Sequence, residues 1–407
     1  MMAFEGPFLA ALIARLADAK YNLAAYGVAY SFALLSEAPV IMMLSASTAL
    51  VKDYHSYLKL RNFNNMLIVF VTALLLIGLI PPLFDFLTLT LINLPKDVSE
   101  LTHASLLILI PWPGAIAYRR FLQGILIVNN RTRMVSYGTM IRVLFMSATG
   151  FLLFTYGNLP GAYVGACALS AGVVAEVIAT GIMCRPLLKR IREKQEIQSS
   201  LNYRDILSFY YPLALATLIG LGSHPIITFM IGHSRMALES LAVLPVINAL
   251  VFIFRSVGLS YQEVGIALMG EKNQNFSLLK NFALKLALIN FVILGLISYT
   301  PLAHFWFETV SGLTPILTEI ALIPTYIMAV IPAFTVIISF QRAIQVNAKK
   351  TSAIKTATTI EVAGIASILF TCTYYFDLIG VTAAALAMLL GRLAANSYLY
   401  FTNKRML

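Results

Sequence analysis

The chain is poor in charged residues. Asp, Glu, Lys and Arg make up only 12% of its 407 residues, whereas soluble domains carry about a quarter. Apolar residues account for 59% of the sequence. This composition excludes a soluble globular enzyme and predicts an all-α polytopic membrane protein. One spanning helix with its connection takes roughly 30 to 35 residues, so the length predicts about twelve transmembrane helices.

Cysteine and the common catalytic motifs are scarce or missing. The three cysteines, Cys167, Cys184 and Cys372, form no CxxC pattern, so we expect neither a disulfide framework nor a metal site. The sequence has no GxxxxGK[ST], HExxH or GxSxG motif, which argues against an ATP motor and against a recognisable intramembrane hydrolase. We therefore expect no enzyme activity, no cofactor and no resident metal.

The charge that is present is mostly basic, with a net charge of +11. In a soluble protein this excess would suggest nucleic acid, but basic loops that orient a membrane protein explain it better, so we expect no nucleic-acid partner. Counted over alternate sides, 22 Lys and Arg lie on one side and three on the other. The basic side, which takes in loops 119–133 and 341–355, is predicted to be cytoplasmic. We expect a multi-pass monomer of the inner (plasma) membrane with both termini in the cytoplasm.

Eleven apolar runs have spanning length, and a twelfth is a stub. They lie at about 24–50, 67–93, 102–118, 135–156, 160–184, 207–232, 238–261, 279–299, 314–340, 353–376 and 378–401, with the stub at 6–16. The longest hydrophilic stretch bisects the chain. It predicts an N-terminal six-helix bundle over 1–190, a cytoplasmic linker over 191–206 and a C-terminal six-helix bundle over 207–407.

The two halves are internal repeats. Shifting the second half by about 216 to 219 positions places Pro225 on Pro7 and Gly391 on Gly172. About 18 residues before Pro225 then have no counterpart before Pro7, which predicts a truncated first helix. Since proline removes a backbone hydrogen bond, we expect Pro7 and Pro225 to act as hinges.

Six ionisable residues lie well inside the predicted spans: Glu37, Arg142, Glu176, Arg255, Glu361 and Arg392. Each costs about 2.5 to 3.5 kcal/mol if it faces lipid, so we expect them to face the interior and to pair. Their depths predict two structural ion pairs, Arg142 with Glu176 and Glu361 with Arg392. Glu37 and Arg255 lie on equivalent helices of the two halves and are predicted to form a gate, or alternatively to pair separately inside each half.

Several uncharged or weakly basic residues are also candidates for the transport path. Tyr26, Tyr30 and Asn248 are predicted to line a central cleft. His224 beside Pro225 and the carboxylate of Glu37 are the candidate coupling residues, because a histidine titrates near neutral pH.

The arrangement resembles the multidrug/oligosaccharidyl-lipid/polysaccharide exporter (MOP) superfamily, which includes the MATE transporters. Three segments look closest to its progressive ankylosis branch: 24–31 (AAYGVAYS), 207–215 (LSFYYPLAL) and 225–227 (PII). The resemblance implies a V-shaped pair of bundles that rocks to alternate access. Ankylosis-like relatives are associated with export of small anions, MATE relatives with export of cations in exchange for protons or sodium, and other branches with flipping of lipid-linked sugars.

The leading hypothesis is a secondary active transporter that exports a small polar or anionic metabolite. Arg255 and Arg142 would then bind the anion. A proton- or sodium-coupled multidrug efflux antiporter would instead use Glu37 as its protonatable site. A lipid-linked sugar flippase is the third hypothesis, and the balance of three arginines and three glutamates argues against it. The expected partners are a small-molecule substrate, a coupling ion and the lipid bilayer.

Overall fold

The computed structural model describes residues 2–193, 201–270, 274–348 and 352–404, and in these ranges the chain is almost entirely helical. The described residues contain no strand, only an isolated bridge between Arg235 and Ile379. The predicted linker 191–206 lies partly outside the described residues, since 194–200 are not among them.

The first half begins with a short 3₁₀ turn and continues as nine α-helices with one π-helical segment. The helices are α1 (Glu5–Ala14), α2 (Ala19–Glu37), α3 (Met43–Leu50), α4 (Tyr54–Gly78), α5 (Pro81–Asp85), α6 (Lys96–Ile108), α7 (Pro111–Val128), α8 (Thr132–Tyr156) and α9 (Gly161–Glu193), with the π-helical segment Phe86–Leu91 after α5. The sequence dictates several of these ends. Asp53 caps α4 by accepting a hydrogen bond from the Ser56 backbone N–H, and Pro111 lies at the start of α7, where its missing N–H costs nothing.

From its second helix onward the second half follows the same order, except that one long helix takes the place of α2 and α3. Its helices are α10 (Tyr203–Leu221), α11 (Ser223–Gly232), α12 (Ala237–Leu268), α13 (Phe276–Tyr299), α14 (Leu302–His304), α15 (Pro315–Met328), α16 (Ile331–Asn347), α17 (Ser352–Tyr374) and α18 (Gly380–Lys404), with the π-helical segment Phe305–Val310 after α14. The two π-helical segments lie at equivalent places in the repeat, as do the breaks between α6 and α7 and between α15 and α16.

The prediction of an all-α polytopic membrane fold is confirmed. In the described ranges ten helices or stacked helix pairs are long and apolar enough to cross a membrane. The broken pair α2 and α3 and the short apolar helix α1 bring the number to about twelve. Several helices continue past the predicted ends of their spans: those predicted to end at 118, 184, 261 and 340 continue to Val128, Glu193, Leu268 and Asn347. The loops 119–133 and 341–355 therefore begin inside helices.

Two glycine contacts show that the halves pair their helices in the same way. A Cβ added to Gly172 on α9 would lie 3.0 Å from the Arg142 carbonyl oxygen on α8. A Cβ added to Gly391 on α18 would lie 2.8 Å from the Glu361 carbonyl oxygen on α17. Small residues thus let both helix pairs approach closely, and Arg142 and Glu361 occupy equivalent positions with opposite charge.

The chain divides into two compact units. The first unit comprises residues 1–2 and 28–225, and the second comprises 3–27 and 226–407. Within the first unit, the Tyr210 hydroxyl of α10 donates to the Pro39 carbonyl at 2.6 Å, and the Thr217 hydroxyl donates to the Ala38 carbonyl at 2.7 Å. Within the second unit, α1 packs on α12 so closely that a Cβ on Gly6 would lie 3.2 Å from Cβ of Ala249.

Candidate functional site

A buried carboxylate organises the charged residues of the first unit. Glu176 on α9 is fully buried, and its Oε2 lies 2.7 Å from Nη1 of Arg119 on α7 and 3.7 Å from Nη1 of Arg142 on α8. The Gln123 side-chain amide donates a hydrogen bond to the other carboxylate oxygen of Glu176, Oε1, at 3.3 Å. One carboxylate thus holds two guanidinium groups from two other helices, and charged hydrogen bonds of this kind are strong where water is excluded.

Trp112 connects this carboxylate centre to Glu37. Its indole Nε1 donates to Oε2 of Glu37 at 3.2 Å, and the Arg142 guanidinium lies over its ring, 5.5 Å from the centroid. Tyr30 packs edge-on against the same ring, with 6.5 Å between ring centroids. A cation over an indole face is stabilised by the ring quadrupole. The side chains of Glu37, Trp112, Arg119, Arg120, Gln123, Arg142 and Glu176 are called the N cluster below.

Helix α7 presents three of the seven N cluster residues from a single face. Trp112, Arg119 and Gln123 follow one another at spacings of seven and four residues, which return to the same side of an α-helix. All three are buried, and Arg119 is 2% exposed. Pro111 and Pro113 begin the helix, and their fixed backbone angles start α7 directly after the break that follows α6.

The second unit carries its own charged group, called the C cluster below: Arg255 on α12, Arg342 on α16, Glu361 on α17 and Arg392 on α18. Arg392 Nη2 lies 2.7 Å from Oε1 of Glu361, with both side chains largely buried at 13% and 12% exposure. Arg342 Nη2 donates to the Thr358 hydroxyl at 3.4 Å. Arg255 lies within electrostatic range of Arg392 and Glu361.

The C cluster has more guanidinium than carboxylate. It contains three arginines and one glutamate, and Glu361 is bound to Arg392. In the described part of the chain no carboxylate lies within ion-pair distance of Arg255, and the Nε groups of Arg255 and Arg342 are buried without a hydrogen-bond partner. A buried donor left unsatisfied costs about 1–3 kcal/mol, so these groups are well suited to receive an anionic ligand.

The structure brings together four of the residues predicted to pair. Arg142 meets Glu176 in the N cluster, and Glu361 meets Arg392 in the C cluster. The two proposed gate residues belong to different compact units, Glu37 to the first and Arg255 to the second. Each has neighbours inside its own unit, namely Trp112 for Glu37 and the C cluster for Arg255.

The remaining predicted residues are spread over both units. Tyr26 is buried in the second unit and Tyr30 contacts Trp112 in the first. Asn248 is half-buried on α12, and His224 is half-buried at the start of α11. Pro7 and Pro225 are each the third residue of their helix, α1 and α11. In the first turn a proline removes no intrahelical hydrogen bond, so neither residue kinks its own helix.

Sequence reasoning missed three arginines of these clusters. Arg119, Arg120 and Arg342 were assigned to cytoplasmic loops, but they lie in α7 and α16, with Arg119 buried and the other two half-buried. A prediction from hydropathy ends a span where charged or polar residues begin, whereas the helix itself continues past them. The spacing of Trp112, Arg119 and Gln123 on one helical face is the signal that would have identified Arg119. The two clusters together hold six arginines and three glutamates, because they include Arg119, Arg120 and Arg342 in addition to the three arginines predicted inside spans.

Among the described residues, no group of three or more His, Cys, Asp or Glu side chains is placed to hold a metal ion.

Comparison with solved structures identifies the fold. An inward-facing MATE family multidrug resistance transporter of the MOP superfamily superposes with a TM-score of 0.77 at 14% identity, covering 100% of this chain and 94% of that one. The chain has a MATE-like fold. The lipid II flippase MurJ in an inward closed conformation gives 0.76 at 18% identity, covering 99% of this chain and 85% of that one. A MOP superfamily transporter from Pyrococcus furiosus, described as having a binding pocket of reversed polarity, gives 0.55 at 13% identity, covering 99% and 94%. No family model and no curated protein matches the chain.

Proposed function

We propose that the chain is a secondary active transporter that exports a small polar or anionic metabolite by alternating access between its two helical units. It resides in the inner (plasma) membrane with both termini in the cytoplasm, and it works as a monomer. The MATE-like fold supports a transport role, since the solved structures that share it include transporters and a flippase.

The excess of guanidinium groups over carboxylates in the C cluster is the main reason for proposing an anionic substrate. Arg255 and Arg342 each keep a buried Nε donor without a partner, while the cluster's one carboxylate is bound to Arg392. Positive charge that is neutralised by the substrate costs less in a low-dielectric site than positive charge left alone. The resemblance to the progressive ankylosis proteins also supports an anionic substrate.

We propose two roles for the charged residues of the clusters: some hold helices together, and others take part in gating. Arg142 with Glu176, and Glu361 with Arg392, maintain their helix packing in every conformation. Glu37 and Arg255 are the gate residues, and Arg255 binds the substrate anion. A ligand shifts a conformational equilibrium only by its differential affinity, so the substrate must bind Arg255 more tightly in one conformation than in the other. Tyr26, Tyr30 and Asn248 line the path, and His224 or Glu37 binds a coupling proton.

A lipid-linked sugar flippase is the second candidate. The six arginines of the two clusters against three glutamates favour it, because the headgroup of such a lipid is a large anion. A proton- or sodium-coupled cation exporter remains the third, with Glu37 as its ion site.

Counterflow in liposomes separates these functions. Purified protein is tested with labelled citrate, pyrophosphate and nucleotide, with a lipophilic cation, and with a fluorescent lipid-linked sugar, each with and without a pH gradient. Arg255→Ala should abolish anion uptake. Arg235 is exposed and lies in the same unit, so Arg235→Ala serves as the matched control and should leave anion uptake intact. Cation uptake that is driven by the pH gradient and lost in Glu37→Gln would contradict the proposal, as would flipping of the lipid without any anion uptake.

A further inference from the structure

A cavity that the transport proposal does not use lies at one end of the first unit. It has a volume of about 330 Å³ and opens between the end of α3, the start of α4, the end of α7 and the last turns of α9. The distribution of Lys and Arg along the sequence assigns this end to the cytoplasm. The N cluster residues Glu37, Arg119, Arg142 and Glu176 are not part of its wall.

Three basic side chains and one acidic side chain line the cavity. The basic residues are Lys52, Arg131 and Arg190, and all three are exposed. The acidic residue, Asp53, is already engaged, because its Oδ1 caps α4 by accepting from the Ser56 N–H at 2.7 Å. The cavity lining therefore carries three cations against one carboxylate, an excess of positive charge that favours an anionic ligand.

Local structure fixes where these cations lie. Lys52 directly precedes the capping box of α4. Arg131 follows Asn130, whose positive φ of 56° turns the chain, and the Arg131 N–H donates to the Leu126 carbonyl at 2.8 Å. Asn129 is held by a side-chain hydrogen bond of 2.8 Å to the Ile125 carbonyl. The backbone that carries the cations is thus ordered by hydrogen bonds of its own.

The wall beneath the cations is apolar. Val51, Ile125, Leu187 and Ile191 form it, and Val128 stands at the rim with 48% of its surface exposed. A cavity lined by apolar side chains and three cations matches a phosphate group attached to an apolar or neutral body. Basic pockets between transmembrane helices on the cytoplasmic side suit such headgroups, and guanidinium groups bind phosphate bidentately.

We propose that this cavity is a cytoplasmic phosphate-binding site, separate from the transport path, which takes the phosphate of an anionic lipid headgroup or of a soluble phosphate ester. The ligand holds the ends of α4, α7 and α9 together by neutralising Lys52, Arg131 and Arg190. Binding stabilises the first unit by RT ln(1 + [L]/Kd), so the stabilisation rises with ligand concentration.

Binding is measured on the full-length protein in neutral detergent by native mass spectrometry and by the shift in thermal unfolding. The probes are phosphatidylglycerol, phosphatidylcholine as the zwitterionic reference, and glycerol phosphate. The triple variant Lys52→Gln/Arg131→Gln/Arg190→Gln should lose at least about tenfold in affinity for the anionic probes. The matched control Arg133→Gln/Arg192→Gln/Lys189→Gln removes the same charge from exposed residues outside the cavity. This control should keep most of the affinity for the anionic probes.

A second variant tests the cavity apart from its charge. Val128→Trp fills the rim while every cation is kept, so it should weaken glycerol phosphate binding as the triple variant does. Binding of the lipid alone would identify the headgroup as the source, and equal binding of both anionic probes would identify a phosphate site open to soluble esters. Equal loss in the triple variant and its control, or full binding in Val128→Trp, would overturn the proposal, because either result means that diffuse surface charge is responsible.

Discussion

Trp112 donates its indole N–H to Glu37 over 3.2 Å, and this hydrogen bond joins the end of α2 to the start of α7. The same indole ring lies under Arg142. The carboxylate of Glu37 and the cation of Arg142 therefore share one aromatic side chain. The fluorescence of Trp112 can therefore report a change at either Glu37 or Arg142.

Glu37→Gln should leave folding nearly intact, because glutamine keeps an acceptor for the indole N–H. Transport should change markedly, since the variant cannot carry a charge at this position. In a Trp306→Phe background Trp112 is the sole tryptophan, so its emission reports the contact. We expect substrate to shift this emission in the parent protein and to shift it less in Glu37→Gln. Identical emission and identical transport in both proteins would remove Glu37 from the mechanism.

Glu176→Gln should destabilise the first unit severely. The change leaves Arg119, which is 2% exposed, without its carboxylate, and removing one partner of a buried ion pair costs about 3–5 kcal/mol. Thermal unfolding in detergent measures the loss. Glu100→Gln is the matched control, because Glu100 is 69% exposed and lies 3.9 Å from Lys96, a surface pair worth little. Adding Arg119→Gln to Glu176→Gln should recover part of the stability, and no recovery would mean that the carboxylate acts on something other than Arg119.

Exchanging the charges of Glu361 and Arg392 tests whether their contact is structural. Glu361→Arg or Arg392→Glu alone places two like charges at a distance that is now 2.7 Å, so each should lower the yield of folded protein. The double exchange restores an opposite pair and should restore most of the yield, measured by gel filtration and thermal unfolding. Single variants with parental stability would show that this pair contributes nothing to packing.

Glycine contacts give a prediction that does not involve charge. Gly172→Ala and Gly391→Ala should both lower thermal stability, because the added Cβ would lie 3.0 Å and 2.8 Å from carbonyl oxygens of the facing helices. Gly78→Ala is the control, since nothing lies within 4 Å of its added Cβ. At the end of α4 it should be neutral or stabilising by up to about 1 kcal/mol. Equal effects at all three positions would show that helix propensity, and not close packing, governs them.

Hydropathy and the internal repeat were enough to predict the helical membrane fold and its number of helices, because both depend on patterns that run along the chain. The contacts of Arg142 with Glu176 and of Glu361 with Arg392 could also be expected, since 1.5 Å per residue places each pair at a similar height on neighbouring helices. Arg119 was not predicted, because its burial depends on a carboxylate from another helix that makes a charge tolerable there. The distribution of 3–27 and 203–225 between the two units was also out of reach, because it follows from tertiary packing and not from the position of the hydrophilic linker.

The opposite charges at Arg142 and Glu361 bear on how the chain enters the bilayer during synthesis. Consecutive helices leave the translocon together, and here each of two consecutive pairs, α8 with α9 and α17 with α18, contains one arginine and one glutamate in contact. Either hairpin can therefore partition into lipid as a nearly neutral body, which avoids the penalty of about 2.5–3.5 kcal/mol that each charge would incur alone. The two hairpins thus carry opposite charges at one equivalent position, and each has a counterion within itself.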